Sequence, residues 1–157
     1  MGINKRFILG VVFLGILFLL AFLFFLKPQS VSKNLPSLMI IYKQTIFIEL
    51  ARTEEERRQG LSGRESLVED RGMLFIFSAP AVYTFWMNQM KFSLDFVFIN
   101  GGEVVDLAEN IPYPKDGEPP QSVIAKHRFD KVLEINAGMV KKWKIKIGDK
   151  VIFSEEI

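Results

Sequence analysis

Hydrophobic and polar positions divide this chain into three parts. Residues Phe7 to Leu26 (FILGVVFLGILFLLAFLFFL) form an unbroken apolar run of 20 residues. As a helix rising about 1.5 Å per residue it covers about 30 Å, the thickness of a bilayer's hydrocarbon core. The pattern predicts one transmembrane helix within an N-terminal anchor, residues 1–27. The run also exceeds the roughly 7 to 15 apolar residues of a secretory signal, which ranks a cleaved leader, with Ser30 and Ser32 as the small residues before the cut, below an anchor. Residues 28–37 are polar, begin at Pro28, include Pro36, and read as a short extended tether.

From residue 38 to 157 the pattern becomes that of short strands. Leu38 to Leu50 (LMIIYKQTIFIEL) is rich in β-branched and aromatic residues and predicts two strands, or one bent strand, around Lys43-Gln44. Thr53 and Glu56 form a capping box, Glu54 and Glu55 stand where the helix dipole favours acids, and Gly60 supplies a stop, so a two-turn helix is expected there. Gly72 to Phe77 and Leu94 to Asn100 are nearly continuous apolar runs, as in strands covered on both faces. Tyr83 to Asn88 is a third strand candidate. Asn100-Gly101-Gly102 is a hairpin signal leading into Glu103 to Leu107. Asn110 to Pro120 holds four of the seven prolines and predicts a loop. Lys131 to Ile135 reads as a strand, Asn136 as the cap of a short helix through Trp143, and Lys150 to Phe153 as a last strand after Gly148-Asp149. The fold class these elements predict is a β-rich α+β domain, a small barrel-like antiparallel or mixed sheet with two short helices, preceded by one transmembrane helix.

Composition narrows the chemistry. The 157 residues include no cysteine and one histidine, which excludes thiol nucleophiles, disulfides and multi-histidine metal centres. The net charge of +2 is also misleading, because Lys5, Arg6 and Lys27 account for three of 20 basic residues while the first 27 residues contain no acid. The remaining 17 basic and 18 acidic residues make a near-neutral domain with no polyanion-binding surface, so no nucleic-acid partner is expected. Lys5 and Arg6 are clustered in a very short tail, whereas Lys33 and Lys43 are spread out. This asymmetry favours the amino terminus inside and the domain outside a cell membrane.

Several motifs recur in a fixed order: Glu49-Leu50-Ala51-x-Thr53, then Glu56-Arg57-x-x-Gly60-Leu61-x-x-Arg64, Gly72-Met73-Leu74-Phe75-x-Phe77, Phe85-Trp86-Met87 and Leu94-Asp95-x-x-Phe98-Ile99. Val132-Leu133-Glu134-x-Asn136-Ala137-Gly138 and Ile147-Gly148-Asp149-x-Val151 complete the set. In order and spacing they closely resemble the uncharacterised family known as domain of unknown function 192, or uncharacterised protein family 0127. The resemblance covers about Ile46 to Ile152. It implies a compact β-barrel-like domain, often exported or membrane-anchored in bacteria and archaea, with no established activity. After Phe85-Trp86-Met87 the family usually has Lys-Asn-Thr where this chain has Asn88-Gln89-Met90.

Five residues are candidates for ligand binding: Arg57, Arg64, Trp86, Asn88 and Asp95. Asp95 interrupts a strand that otherwise asks for burial, and a buried acid needs partners, for which Arg57 and Arg64 are suited. It fits either a structural anchor or a ligand-holding carboxylate. Alternation along residues 83–88 puts Phe85 and Met87 on one face and Trp86 and Asn88 on the other, so one face can pack while the other lines a groove. A tryptophan beside amides suits a sugar ring or peptide edge, though it also suits packing. His127, between Lys126 and Arg128, reads as an exposed basic turn, and Lys141 to Lys146 as a solvated helix end that could also meet anionic headgroups.

No phosphate loop, dinucleotide fingerprint, zinc-protease motif or nucleophile elbow is present, and no cofactor is expected. The leading expectation is a membrane-anchored, extracytoplasmic, non-enzymatic module binding a small polar ligand, a glycan or a protein partner. A hydrolase acting on envelope carbohydrate through Asp95 with Asp106 or Glu109 is the alternative. A structural component of a membrane complex is a third reading, which predicts an exposed apolar patch instead of a cleft.

Overall fold

Tight turns dictate most of the strand pairing. In the computed structural model, which describes residues 37–154, Tyr42 takes a positive φ of 57° between β1 (Ser37–Ile41) and β2 (Gln44–Ala51). Gly101 and Gly102, at φ 57° and 80°, join β5 (Leu94–Asn100) to β6 (Glu103–Ile111) as the hairpin signal requires. The helix α1 (Glu54–Gln59) has the expected capping box, with the Glu56 N–H donating to Thr53 Oγ1 and the Thr53 N–H donating to the Glu56 carboxylate. It links β2 to its parallel neighbour β3 (Arg71–Ala81). The remaining elements are β4 (Thr84–Trp86), β7 (Ser122–Ile124), β8 (Phe129–Asn136), α2 (Met139–Trp143) and β9 (Val151–Phe153).

Seven strands form one sheet in the order β6-β5-β8-β3-β2-β1-β9, antiparallel except for β2–β3. The sheet curls into a half-barrel, and its two edge strands meet at one end: the Val104 N–H donates to Asp149 O at 2.9 Å and the Val151 N–H to Gly102 O at 2.9 Å. This is the barrel-like mixed sheet expected. Gly72 permits the β3–β8 contact, since a Cβ there would stand 2.7 Å from Leu133 Cδ1 and 2.9 Å from Glu134 O.

Period two sorts each strand between two cores. On β5, Val97 and Ile99 enter one cluster to which all seven strands contribute, the inner face of the curl, covered by Val140 and Trp143 of α2. Leu94, Phe96 and Phe98 enter the other, aromatic cluster on the outer face, covered by Leu61, Phe85 and Val123. Burying each such side chain contributes about 1.5–3 kcal/mol, which is why β5 is apolar at nearly every position.

Three local expectations are corrected. The sequence pattern does not predict β7, because Ser122-Val123-Ile124 is too short for periodicity to register; it forms by pairing with β4, where Val123 is opposite Phe85. Asn136 does not cap α2. It remains in β8, opposite Leu94, and donates from Nδ2 to Leu67 O at 2.9 Å, while Gly138 takes the cap position without any side-chain bond. The strands β3 and β6 run on to Ala81 and Ile111, since their β8 and β5 partners continue beyond the apolar runs. The apolar run Phe7–Leu26 lies outside the described residues; among the described residues no helix is long and apolar enough to cross a membrane.

Candidate functional site

The short sheet β4–β7 holds Phe85 inward, 9% exposed, and Trp86 outward, 59% exposed, as strand alternation requires. Between β4 and α1 lies a groove of about 330 Å³ walled by Arg57, Arg58, Phe77, Tyr83 and Trp86. Its floor is an aromatic lattice: Phe77 stacks on Tyr83 at 3.9 Å and Phe75 meets Phe85 edge-on at 5.3 Å. Arg57 is a fixed part of this wall. Its guanidinium lies 5.1 Å over the Phe77 ring and donates to the carbonyls of Arg52 and of Ile76, the latter at 3.0 Å. Arg58 pairs with Glu54 at 3.0 Å on the solvent side.

A smaller cavity of about 30 Å³ adjoins the groove, shares Arg57, Arg58, Phe75, Phe85 and Trp86 with it, and reaches Glu134. Glu134 is central in β8, in register with Met73 and Phe96, so its carboxyl group points into the aromatic outer core. It is 6% exposed and, among the described residues, makes no side-chain hydrogen bond or ion pair. Burial lifts its pKa from the ordinary 4.5 to about 8. Burial thus favours the protonated form, in which a carboxyl group is at once donor and acceptor. Its oxygens are not sealed off: among the described residues the fully buried side-chain atom without a partner is Asp130 Oδ1, whereas the Glu134 carboxyl group opens on the small cavity. Lys131-Val132-Leu133-Glu134-Ile135 carries the same signal as the Asp95 segment, an acid inside an apolar strand.

The five expected binding residues do not all converge. Arg57 and Trp86 face each other across the groove. Asn88 lies in the turn after β4, where its carbonyl accepts a hydrogen bond from Ser62 Oγ at 2.9 Å. Arg64 lies in an open cleft of about 850 Å³ on the other side of α1 and makes a bidentate pair with Glu49 at 2.7 and 2.8 Å. Those bonds hold the Glu49 carboxyl below its ordinary value and raise that of Arg64. In the larger cleft Arg64 and Glu49 are thus satisfied by one another, and the smaller groove, with its aromatic floor and exposed indole, is the better candidate.

Asp95 lies elsewhere and is not paired with Arg57 or Arg64. The reason is strand alternation: with Leu94 and Phe96 in the outer core, Asp95 must face the inner one. It is 0% exposed, and its two oxygens accept the Asn110 N–H at 2.7 Å and the Val140 N–H at 2.9 Å. Val140 is in the first turn of α2, so Asp95 supplies from a distant strand the cap that Gly138 lacks. Asp106 opposes Phe98 and therefore sits on the outer face, where it accepts the Lys126 N–H at 2.6 Å. Asp95 and Asp106 stand on opposite faces of the sheet, each engaged with backbone, and do not flank a common cleft. Among the described residues no three His, Asp or Glu side chains group as a metal site would need.

Comparison with known proteins agrees with this picture of the fold. The family model DUF192, "Uncharacterized ACR", matches residues 39–153. A crystal structure of a protein of unknown function from Novosphingobium aromaticivorans is 35% identical, over 74% of this chain and 83% of that one, with a TM-score of 0.64. A second, of a proposed transcription regulator from Sinorhizobium meliloti, is 29% identical over 75% of this chain and 92% of that one, with a TM-score of 0.65. Among curated proteins none matches.

Proposed function

We propose that this chain, which belongs to the DUF192 family, is a non-enzymatic binding module that takes a small polar ligand into the groove between α1 and Trp86. The observation that carries this reading is the groove itself. It has the size of a small-molecule site, an aromatic floor, and an indole left 59% exposed on its rim although the neighbouring Phe85 and Met87 are buried. In this reading residues 1–27 anchor the protein in the cell membrane, residues 28–37 are the tether, and the domain works on the extracytoplasmic side. The support is the 20-residue apolar run with Lys5 and Arg6 before it.

The test is a thermal-shift screen of the full-length chain against sugars, peptides, nucleotides and metals. A ligand at 100 times its dissociation constant adds about 2.7 kcal/mol of stability. A shift present in the wild type and lost in Trp86→Ala, with unchanged unliganded stability, is expected. Shifts that survive Trp86→Ala would refute the groove as the site. A protein partner is the second reading, favoured by Ile124, 62% exposed on the same outward face of the β4–β7 sheet as Trp86. It predicts cross-links to another protein that Ile124→Ser removes.

A further inference from the structure

The groove lining carries two guanidinium groups, Arg57 and Arg58, against one carboxylate, Glu54. Arg57 is spent on two carbonyls and the Phe77 ring, and Arg58 faces Glu54. An anionic ligand would have to compete with Glu54 for Arg58, and in the inner cavity it would meet no cation that is not already bonded to carbonyls. A cationic ligand would have to pass two guanidinium groups to reach Glu134. What the groove does offer is an exposed indole face, the Arg58 and Gln59 side chains as donors, and one uncharged carboxylic acid with no partner among the described residues. The cavity in front of that acid, about 30 Å³, admits a single heavy-atom group.

We infer that the ligand class is a neutral carbohydrate, stacked on Trp86, with one hydroxyl group entering the small cavity to hydrogen-bond the carboxyl group of Glu134. The inference rests on the binding reading above and adds the recognising group and the ligand chemistry. The hydroxyl oxygen accepts a hydrogen bond from the acid's O–H and its own O–H donates to the acid's carbonyl oxygen, so neither partner carries a charge into the aromatic core. The C–H face of a pyranose is apolar and matches the indole, while its outward hydroxyls remain in water or reach Arg58 and Gln59. A carboxyl group placed for one hydroxyl also discriminates sharply, because a sugar lacking that hydroxyl leaves the acid unpaired.

The experiment is ligand-observed NMR on the full-length chain in a sugar-free detergent, with three probe sets: methyl pyranosides of the common neutral hexoses and N-acetylhexosamines, the diamine putrescine, and the anion citrate. A pyranoside is expected to bind in a Trp86-dependent manner, to bind Glu134→Gln within about twofold, and to bind Glu134→Leu about tenfold or more weakly, the loss of one well-made hydrogen bond. Removing single hydroxyls from that sugar should reproduce the loss in the wild type at one position and cost nothing further at that position in Glu134→Leu. Should Glu134→Leu fail to fold, Glu134→Met takes its place with the same expectation. Undiminished pyranoside binding by either apolar variant would overturn the role of Glu134 while leaving the groove reading intact. Trp86-dependent binding of putrescine or citrate without any pyranoside would overturn the carbohydrate class alone. No Trp86-dependent binding by any probe would overturn both.

Discussion

Replacing Glu134 by glutamine isolates the energetic consequence of an unpartnered carboxyl group in the outer core. The native-state pKa, about 8, stands above the ordinary 4.5 that the unfolded chain would show, so across that window the native state keeps a proton that the unfolded state has lost. The stability associated with the protonated acid is fully present below 4.5 and is lost as pH rises to about 8. At roughly 1.4 kcal/mol per pH unit the gap corresponds to about 5 kcal/mol, comparable to the whole stability of many domains. Glu134→Gln has nearly the same shape and no titration, so its stability should not fall in this window on account of residue 134. Urea unfolding of the full-length chain, followed by tryptophan fluorescence, is a suitable assay because the two tryptophans, Trp86 and Trp143, both lie in the folded domain. Measured between about pH 5 and pH 8.5, the wild type should lose several kcal/mol relative to Glu134→Gln. Stability profiles that run parallel within about 1 kcal/mol would refute the reasoning and show that the carboxyl group is solvated or paired in solution.

Three further outcomes follow from the packing. Asp95→Ala leaves the backbone N–H groups of Asn110 and Val140 without their acceptor, the Val140 group in a buried site, and should cost about 1–3 kcal/mol, read as a lower urea midpoint with faster hydrogen exchange in α2. Gly72→Ala drives a methyl group to within 2.7–2.9 Å of Leu133, Glu134 and Ile135 where β3 meets β8, and should destabilise by about 1–3 kcal/mol in the same assay; a neutral result would mean that the two strands separate easily. Arg64→Ala breaks an ion pair whose side chains are 36% and 43% exposed, and should change stability by less than about 1 kcal/mol and leave binding in the Trp86 groove unchanged.

What could be read from the chain alone was whatever a few neighbouring residues decide. The capping box at Thr53 and Glu56, the glycine pair at residues 101 and 102, and the doubly apolar run of β5 each carry their own cause, and each is found where the pattern placed it. Trp86 and Phe85 also separated correctly, because alternation along a strand is a local rule. Its place in an apolar strand makes Asp95 an acid that needs partners, but sequence patterning does not say which. Its partners, the N–H groups of Asn110 and Val140, come from segments 15 and 45 residues away.

Tertiary structure decided the site. Whether an acid in an apolar strand meets a waiting amide or nothing depends on which elements cover each sheet face, and that is fixed by pairings between strands distant in sequence. Asp95 and Glu134 have the same local signature, yet α2 closes over one, whereas the other opens on a cavity beside α1 and β4. The same holds for β7, which is too short to declare itself and exists because β4 has an unpaired edge. Short-range chemistry selects strand, turn or helix at each position. Burial and the convergence of Arg57, Trp86 and Glu134 on one small cavity beside the groove arise only when the curled sheet brings β3, β4 and β8 against α1.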